Sequence, residues 1–239
     1  MADPQDSRDP DARCCSDENR LRVWKIDYVS FLNEVIGDSG RTPAELLAEG
    51  LPHIWRDRYV QMVLRETNIV RFTCGAFEYI YDDYASLEAA GVVADSPIIE
   101  ARLVAVSGLS SPQKRTRDDY RLRGWVGATE RAFGRGWDKG HYIAHSIGGA
   151  VDRAEANVFV QRRDLNRGWS EEGKRYREME NYCEVNPGTF CFSRPIYFDQ
   201  SAKPAFAEFG LVESGGKLWV ECFDNRPSES ERTRSGSTE

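Results

Sequence analysis

At 239 residues and a net charge of −7, the chain is long enough for one sizeable core and too acidic to hold nucleic acid over its whole surface by counterion release. Its hydrophobic content of 40% describes a folded protein. No apolar run reaches the length of a membrane span, and the start Met1-Ala2-Asp3-Pro4 lacks the basic-then-apolar order of a secretory signal, so no membrane association is expected. The six cysteines are dispersed, without the paired spacing of a zinc ribbon, and read as reduced thiols. The expected compartment is the cytoplasm, with a dedicated non-classical export system as the alternative. Under oxidising conditions Cys183 and Cys191 are the candidates to pair.

Taken in chain order, residues 1–20 and 225–239 are polar and aperiodic, which predicts disordered tails around a single α+β domain at 21–224. Trp24, Ile26, Val29, Phe31, Leu32, Val35 and Ile36 form an apolar pattern ended by Gly37 and predict an N-terminal helix. Thr42 reads as an N-cap with Pro43 at the first helical position, opening a helix through Val63, or a pair of helices broken at Gly50-Leu51-Pro52. Ile69–Tyr81 and Ile98–Val106 are rich in β-branched and aromatic residues and predict strands of the sheet that carries the site. Three further strands are predicted at Thr189–Phe198, Ala205–Val212 and Lys217–Phe223, the last two joined by a turn at Ser214-Gly215-Gly216. The whole is a mixed, mainly antiparallel sheet with N-terminal helices.

Between these strands lies the most informative stretch. Trp137-Asp138-Lys139-Gly140-His141 is followed by Asn157-Val158-Phe159-Val160-Gln161 and then by Leu165-Asn166-Arg167-Gly168-Trp169. Two basic runs abut it: Lys114–Lys139 holds eight Lys/Arg against four acids, and Arg162–Arg177 six against three, enough to hold an anion locally despite the acidic whole. Phosphodiester hydrolysis needs a deprotonated water, positive charge at the phosphorus and a stabilised leaving oxygen. A histidine at a strand end can supply the first. A hard cation such as Mg²⁺ supplies the others while keeping most of its waters, so one Asn oxygen suffices as its main protein ligand.

These motifs, in order and spacing, resemble the DNA/RNA non-specific endonuclease family of the ββα-metal, or His-Me finger, nucleases. That family's Asp-Arg-Gly-His, Asn-x-x-x-Gln, Leu-Asn-x-Gly and helix glutamate correspond to Asp138-Lys139-Gly140-His141, Asn157 with Gln161, Leu165-Asn166-Arg167-Gly168 and Glu180. The resemblance implies a ββα-metal core at about 133–183, with His141 as general base and Asn166 as ligand of Mg²⁺, for which Mn²⁺ would substitute. It places Asp138 beside the histidine in support and Lys139 on a phosphate, with one ammonium contact where the family's arginine has two. Asn157 and Gln161 would hold the strands and the metal ligand in register, and Arg167 and Arg135 would contact substrate. Glu180 would act on the metal's water, yet it stands fourteen residues after Asn166 where the family spacing is eight. Fourteen helical residues would span about 21 Å, too far to share one ion. Either Ser170 caps a new helix, with Asn166 in a loop folded back over it, or Glu171 or Glu172 takes the place of Glu180. The first is preferred, because Ser170 followed by two acids reads as a helix start.

The implied activity is metal-dependent cleavage of DNA and RNA with little sequence specificity, leaving a 5′-phosphate and a 3′-hydroxyl, in a bacterial toxin-like setting where an inhibitor or immunity protein, or a homodimer, would be the protein partner. A sequence-specific HNH-like nuclease and a non-catalytic nucleic-acid-binding or toxin-immunity interaction protein are the alternatives. Of the other residues, His53 reads as structural and His145 as a loop residue near the site. Trp169 and Tyr176, on one helical stripe with Leu165 and Met179, are expected in the core, although Trp137, Trp169, Tyr176 and Tyr182 are all of the type that stacks on bases.

Overall fold

The computed structural model describes residues 10–36, 40–63, 65–84, 101–112, 134–150 and 155–227. It is a mixed α+β fold built on a six-stranded antiparallel sheet of order β1-β2-β3-β6-β7-β8. The strands are β1 (Ile69–Cys74), β2 (Phe77–Asp82), β3 (Arg102–Leu109), β6 (Phe190–Ile196), β7 (Phe206–Val212) and β8 (Leu218–Asp224). A separate antiparallel pair, β4 (Trp137–His141) with β5 (Val158–Arg162), carries the central motifs. Every residue of β6 and β7 is buried, as expected for strands covered on both faces.

Three helices cover one face: α1 (Pro10–Trp24), α2 (Tyr28–Ile36) and α3 (Pro43–Val63). Trp24, Tyr28, Leu47, Leu51, Trp55 and Tyr59 pack there against Ile80, Val104, Phe192 and Ile196 of the sheet. The α3 start is a reciprocal cap, in which the Glu45 backbone N–H donates to Thr42 Oγ1 at 3.3 Å and the Thr42 N–H donates to Glu45 Oε2 at 2.8 Å. Of the two readings of this segment the unbroken helix is the one present, running through Gly50-Leu51-Pro52. A buried proline inside a helix costs about 3 kcal/mol, which the burial of Leu46, Leu47, Leu51, Trp55 and Tyr59 on the same helix offsets. Gly50 there gives Phe31 room, since a Cβ would sit 2.2 Å from its ring.

The opposite face receives the β4–β5 pair and the helix α5 (Glu171–Val185), preceded by the single-turn α4 (Arg163–Asn166). Phe159, Ile143, Ile147, Tyr176, Met179 and Cys183 pack on Tyr79, Val106, Phe209 and Leu211. The predicted strands at 69–81 and 98–106 therefore support the site from beneath and do not contain it. The first of them is a hairpin, and Ile98 lies outside the described residues. The turn expected at Ser214-Gly215-Gly216 is present, closed by Gly216 N–H to Glu213 O at 2.8 Å.

Residue 20 falls inside α1, where Asp17 pairs with Arg226 at 2.7 Å. Asn225, placed by the sequence reading in the C-terminal tail, is fully buried. Its Oδ1 accepts the Arg162 N–H at 2.7 Å and its Nδ2 donates to Val160 O and Pro204 O at 2.9 Å each, tying β5 to the large sheet. Residues 1–9 and 228–239, and the basic run from 113 to 133, lie outside the described residues. Among the described residues no helix is long and apolar enough to cross a membrane.

Candidate active site

His141 ends β4, and the chain then turns into a loop that must be held rigidly if the histidine is to keep its position. Asn157 does this. It is fully buried; its Oδ1 accepts the Ile143 N–H at 3.0 Å, and its Nδ2 donates to Ile143 O at 2.9 Å and Ala150 O at 2.8 Å. All three bonds go to the backbone of the loop after His141, and Asn157 does not line the pocket itself. Tyr142 stacks on Phe159 across the pair at 4.3 Å between ring centres, fixing the same junction from the apolar side.

A pocket of about 200 Å³ opens here, lined by His141, Ala144, His145, Ser146, Gln161, Asn166, Arg177 and Glu180. It thus gathers the histidine, the carboxamide and the carboxyl from three separate segments. Gln161 is buried on β5 and lies over Gly140, where a Cβ would come within 2.1 Å of its Oε1. This close approach accounts for the glycine in Asp138-Lys139-Gly140-His141.

The fourteen-residue separation of Asn166 and Glu180 is resolved by a reversal of the chain. Asn166 ends α4, Gly168 turns with φ of 69°, and Ser170 caps α5 by accepting the Gly173 N–H at 3.0 Å. Asn166 and Glu180 are therefore on different elements that face one pocket. Glu171 and Glu172 do not line it: Glu171 pairs with Lys174, and Glu172 with Arg162.

Asp138 is held by residues of α4 and the residue after it. Its carboxylate accepts from Arg163 Nε at 2.9 Å, Arg167 Nε at 2.7 Å and Asn166 Nδ2 at 3.3 Å. Partial burial opposes ionisation, but these three donors together hold its pKa below the usual carboxylate value. The consequence falls on Asn166, whose amide nitrogen is drawn to Asp138 while its Oδ1 is left as an acceptor. Arg177, from α5, holds the Asn166 backbone carbonyl through Nε at 3.1 Å.

Glu180 is 8% exposed, and burial pushes its carboxyl up to about 7; Arg177, 3.7 Å away, opposes the rise and Glu184 adds to it. Lys139 precedes His141 by two residues and so leaves β4 on the same side; partial burial lowers its pKa. Arg135 is exposed just before β4. Arg167, assigned to substrate, is engaged with Asp138 and lies over the Trp169 ring at 5.0 Å.

Three polar groups of the pocket were not singled out from the sequence as site residues. His145 and Ser146 sit on a single turn of 3₁₀ helix at His145–Ile147. Arg177 stands one helical turn before Glu180, a spacing that places both on one face and could have revealed it. Trp169, expected in the core, is 63% exposed, whereas Tyr176, Met179 and Leu165 are buried. The helical stripe fails at Trp169 because α5 begins after it.

No family model matches the sequence, and no curated protein does. Among solved structures the chain is similar to the Sda1 nuclease with bound zinc ion, at 15% identity over 68% of this chain and 75% of that one, with a TM-score of 0.35.

Proposed function

We propose that the chain is a metal-dependent endonuclease that hydrolyses phosphodiester bonds of DNA and RNA with little regard to sequence. The observation that carries this reading is the single pocket that gathers His141, Asn166 and Glu180, with the Asn166 amide oriented by Asp138 so that its oxygen is available. The donor set fits a hard divalent cation: an amide oxygen and a carboxyl, with space for several waters at roughly 30 Å³ each. Among the described residues no three of His, Cys, Asp and Glu cluster as a ligand set. Asn166 and Glu180 are thus the residues that would hold Mg²⁺ or Mn²⁺, most of whose shell would be water.

When bound, such a cation supplies the positive charge that phosphoryl transfer requires at the scissile phosphate and the departing oxygen. The rest falls to the chain. His141 takes the proton of the attacking water, held in place by the Asn157-pinned loop behind it. Asp138 keeps the Asn166 amide from rotating, and Arg177 fixes the same residue through its backbone. Lys139, on the His141 side of β4, faces a phosphate. Contacts of this kind go to the backbone of a nucleic acid, which is why little base preference is expected.

The test is digestion of plasmid DNA and of an unstructured RNA, with Mg²⁺ and with EDTA, by wild type and His141→Ala. Both substrates should be cut at many sites by wild type with Mg²⁺ alone, and His141→Ala should be slower by about 10²–10⁴-fold. Binding without cleavage in any divalent cation would favour a non-catalytic nucleic-acid-binding protein. A single recognition sequence would favour a sequence-specific HNH-like enzyme.

A further inference from the structure

We infer that Trp169 is a base-stacking platform beside the cleavage pocket, so that the chain prefers strands with an unpaired base next to the scissile phosphate. The inference rests on the nuclease reading and concerns the conformation of the substrate at that same site. Trp169 is 63% exposed, which leaves most of the indole surface open to a ligand. Its turn is firmly held: the Trp169 N–H donates to Asp164 O at 2.8 Å, Gly168 supplies the left-handed residue before it, and Ser170 caps α5 immediately after.

The ring is also joined to the pocket by contacts. The Arg167 guanidinium lies 5.0 Å from its centre, Arg167 Nε is 2.7 Å from Asp138 Oδ2, and that same oxygen accepts from Asn166 Nδ2. An aromatic plane with an arginine on it, next to the groups that would engage a phosphate, matches the two faces of a nucleotide: the base stacks and the phosphate is attracted. Every base offers a π-face, so the platform is tolerant of sequence. A base inside a duplex is already stacked and must be extruded at a cost before it can be offered. The effect is therefore confined to single strands and unpaired positions.

The experiment measures binding of labelled oligonucleotides by fluorescence anisotropy in EDTA, for wild type, Trp169→Ala and Trp169→Phe, with unchanged circular dichroism melts as the check on folding. Three probes are used: a single-stranded DNA, a fully abasic strand of the same length that keeps every phosphate, and a perfect duplex. Trp169→Ala should weaken binding of the base-bearing single strand about tenfold, within the range for loss of one stacked base, and Trp169→Phe should recover most of it. All three proteins should bind the abasic strand and the duplex alike, within about twofold. Equal losses on abasic and base-bearing strands, or no loss on either, would overturn the proposal. If wild type still cuts plasmid in that case, only the stacking role falls. A wild type that neither binds nor cuts any strand defeats the nuclease reading and this inference with it.

Discussion

The two faces of the six-stranded sheet are covered by different means. Under α1–α3 the covering is aromatic and aliphatic, with buried carboxylates paired to arginines: Arg194 Nε donates to Glu208 Oε2 at 2.6 Å, the Tyr28 hydroxyl donates to the same oxygen at 2.7 Å, Arg194 Nη2 reaches Trp24 O at 2.9 Å, and Asp82 pairs with Arg65 at 2.7 Å. On the other face an apolar layer is present too, but what orients the motif-bearing strands is a set of carboxamides and one carboxylate, Asn157, Asn225 and Asp138, each spending its hydrogen bonds on two or three neighbours. Apolar burial is non-directional and tolerates small shifts, whereas hydrogen bonds fix angle as well as distance. A site whose chemistry depends on sub-ångström placement gains most from the second kind of support.

That contrast can be broken most severely at the site. His141→Ala and Asn166→Ala should each lose about 10²–10⁴ in cleavage rate while melting like wild type, because neither contributes to the apolar core. They should differ in response to metal. Raising Mg²⁺ or Mn²⁺ should partly restore Asn166→Ala, whose defect is in holding the ion, and leave His141→Ala unaffected. Identical metal titrations for the two would mean that Asn166 is not a ligand.

Glu208→Ala attacks the helical face. It leaves the Arg194 guanidinium buried without its counter-charge, and breaking such a pair costs about 3–5 kcal/mol of stability. Urea denaturation should show this loss, with cleavage per folded molecule unchanged below the transition. A drop in specific activity as large as the drop in stability would mean that the two faces are not independent.

Glu180 tests the site face through pH. Its folded pKa of about 7 lies above its ordinary value of 4.5, so the folded state holds the proton more tightly than the unfolded chain does. The stabilisation is complete below pH 4.5 and is lost as pH rises through 7, on the order of 3 kcal/mol in total for the metal-free protein. Melting in EDTA between pH 5 and 8 should therefore show this decline in wild type but not in Glu180→Gln. At pH 8, Mg²⁺ should raise the wild-type midpoint more than that of the variant. A variant with the wild-type slope would assign the pH dependence elsewhere.

The sequence was most legible where interactions are local. The Thr42–Glu45 cap, the Ser170 cap and the turn at 214–216 follow from side chains within a few residues of the backbone groups they serve. The three strands of the second half lie within the predicted segments. Less legible was anything decided at long range. That β4–β5 lies on the sheet and not in it depends on partners such as Asn225, which reaches Val160 and Pro204 from beyond β8. Pro52 sits in a continuous helix because of what packs on α3, which propensity does not know. Trp169 was misplaced by extending a helical period across a turn. The resemblance speaks only of Asp138 beside the histidine, while the donors to its carboxylate come from α4 and the residue after it.

The smallest expected effect sharpens the picture of that last motif. Lys139 leaves β4 on the His141 side, and partial burial lowers its pKa, so the site already carries part of the cost of desolvating an ammonium. If it meets a phosphate there, Lys139→Ala should lower kcat/KM about tenfold, the low end for a charge-assisted hydrogen bond. Lys139→Arg should keep or raise activity by a few-fold at most, roughly what a second parallel N–H contact adds when geometry permits. Steady-state cleavage of a short single strand at several salt concentrations separates the outcomes. A phosphate contact predicts that Lys139→Ala has the shallower salt dependence and that Arg restores the wild-type slope. Equal slopes in all three proteins, with activity lost in Lys139→Arg as in Lys139→Ala, would show that Lys139 supports the strand and does not touch substrate.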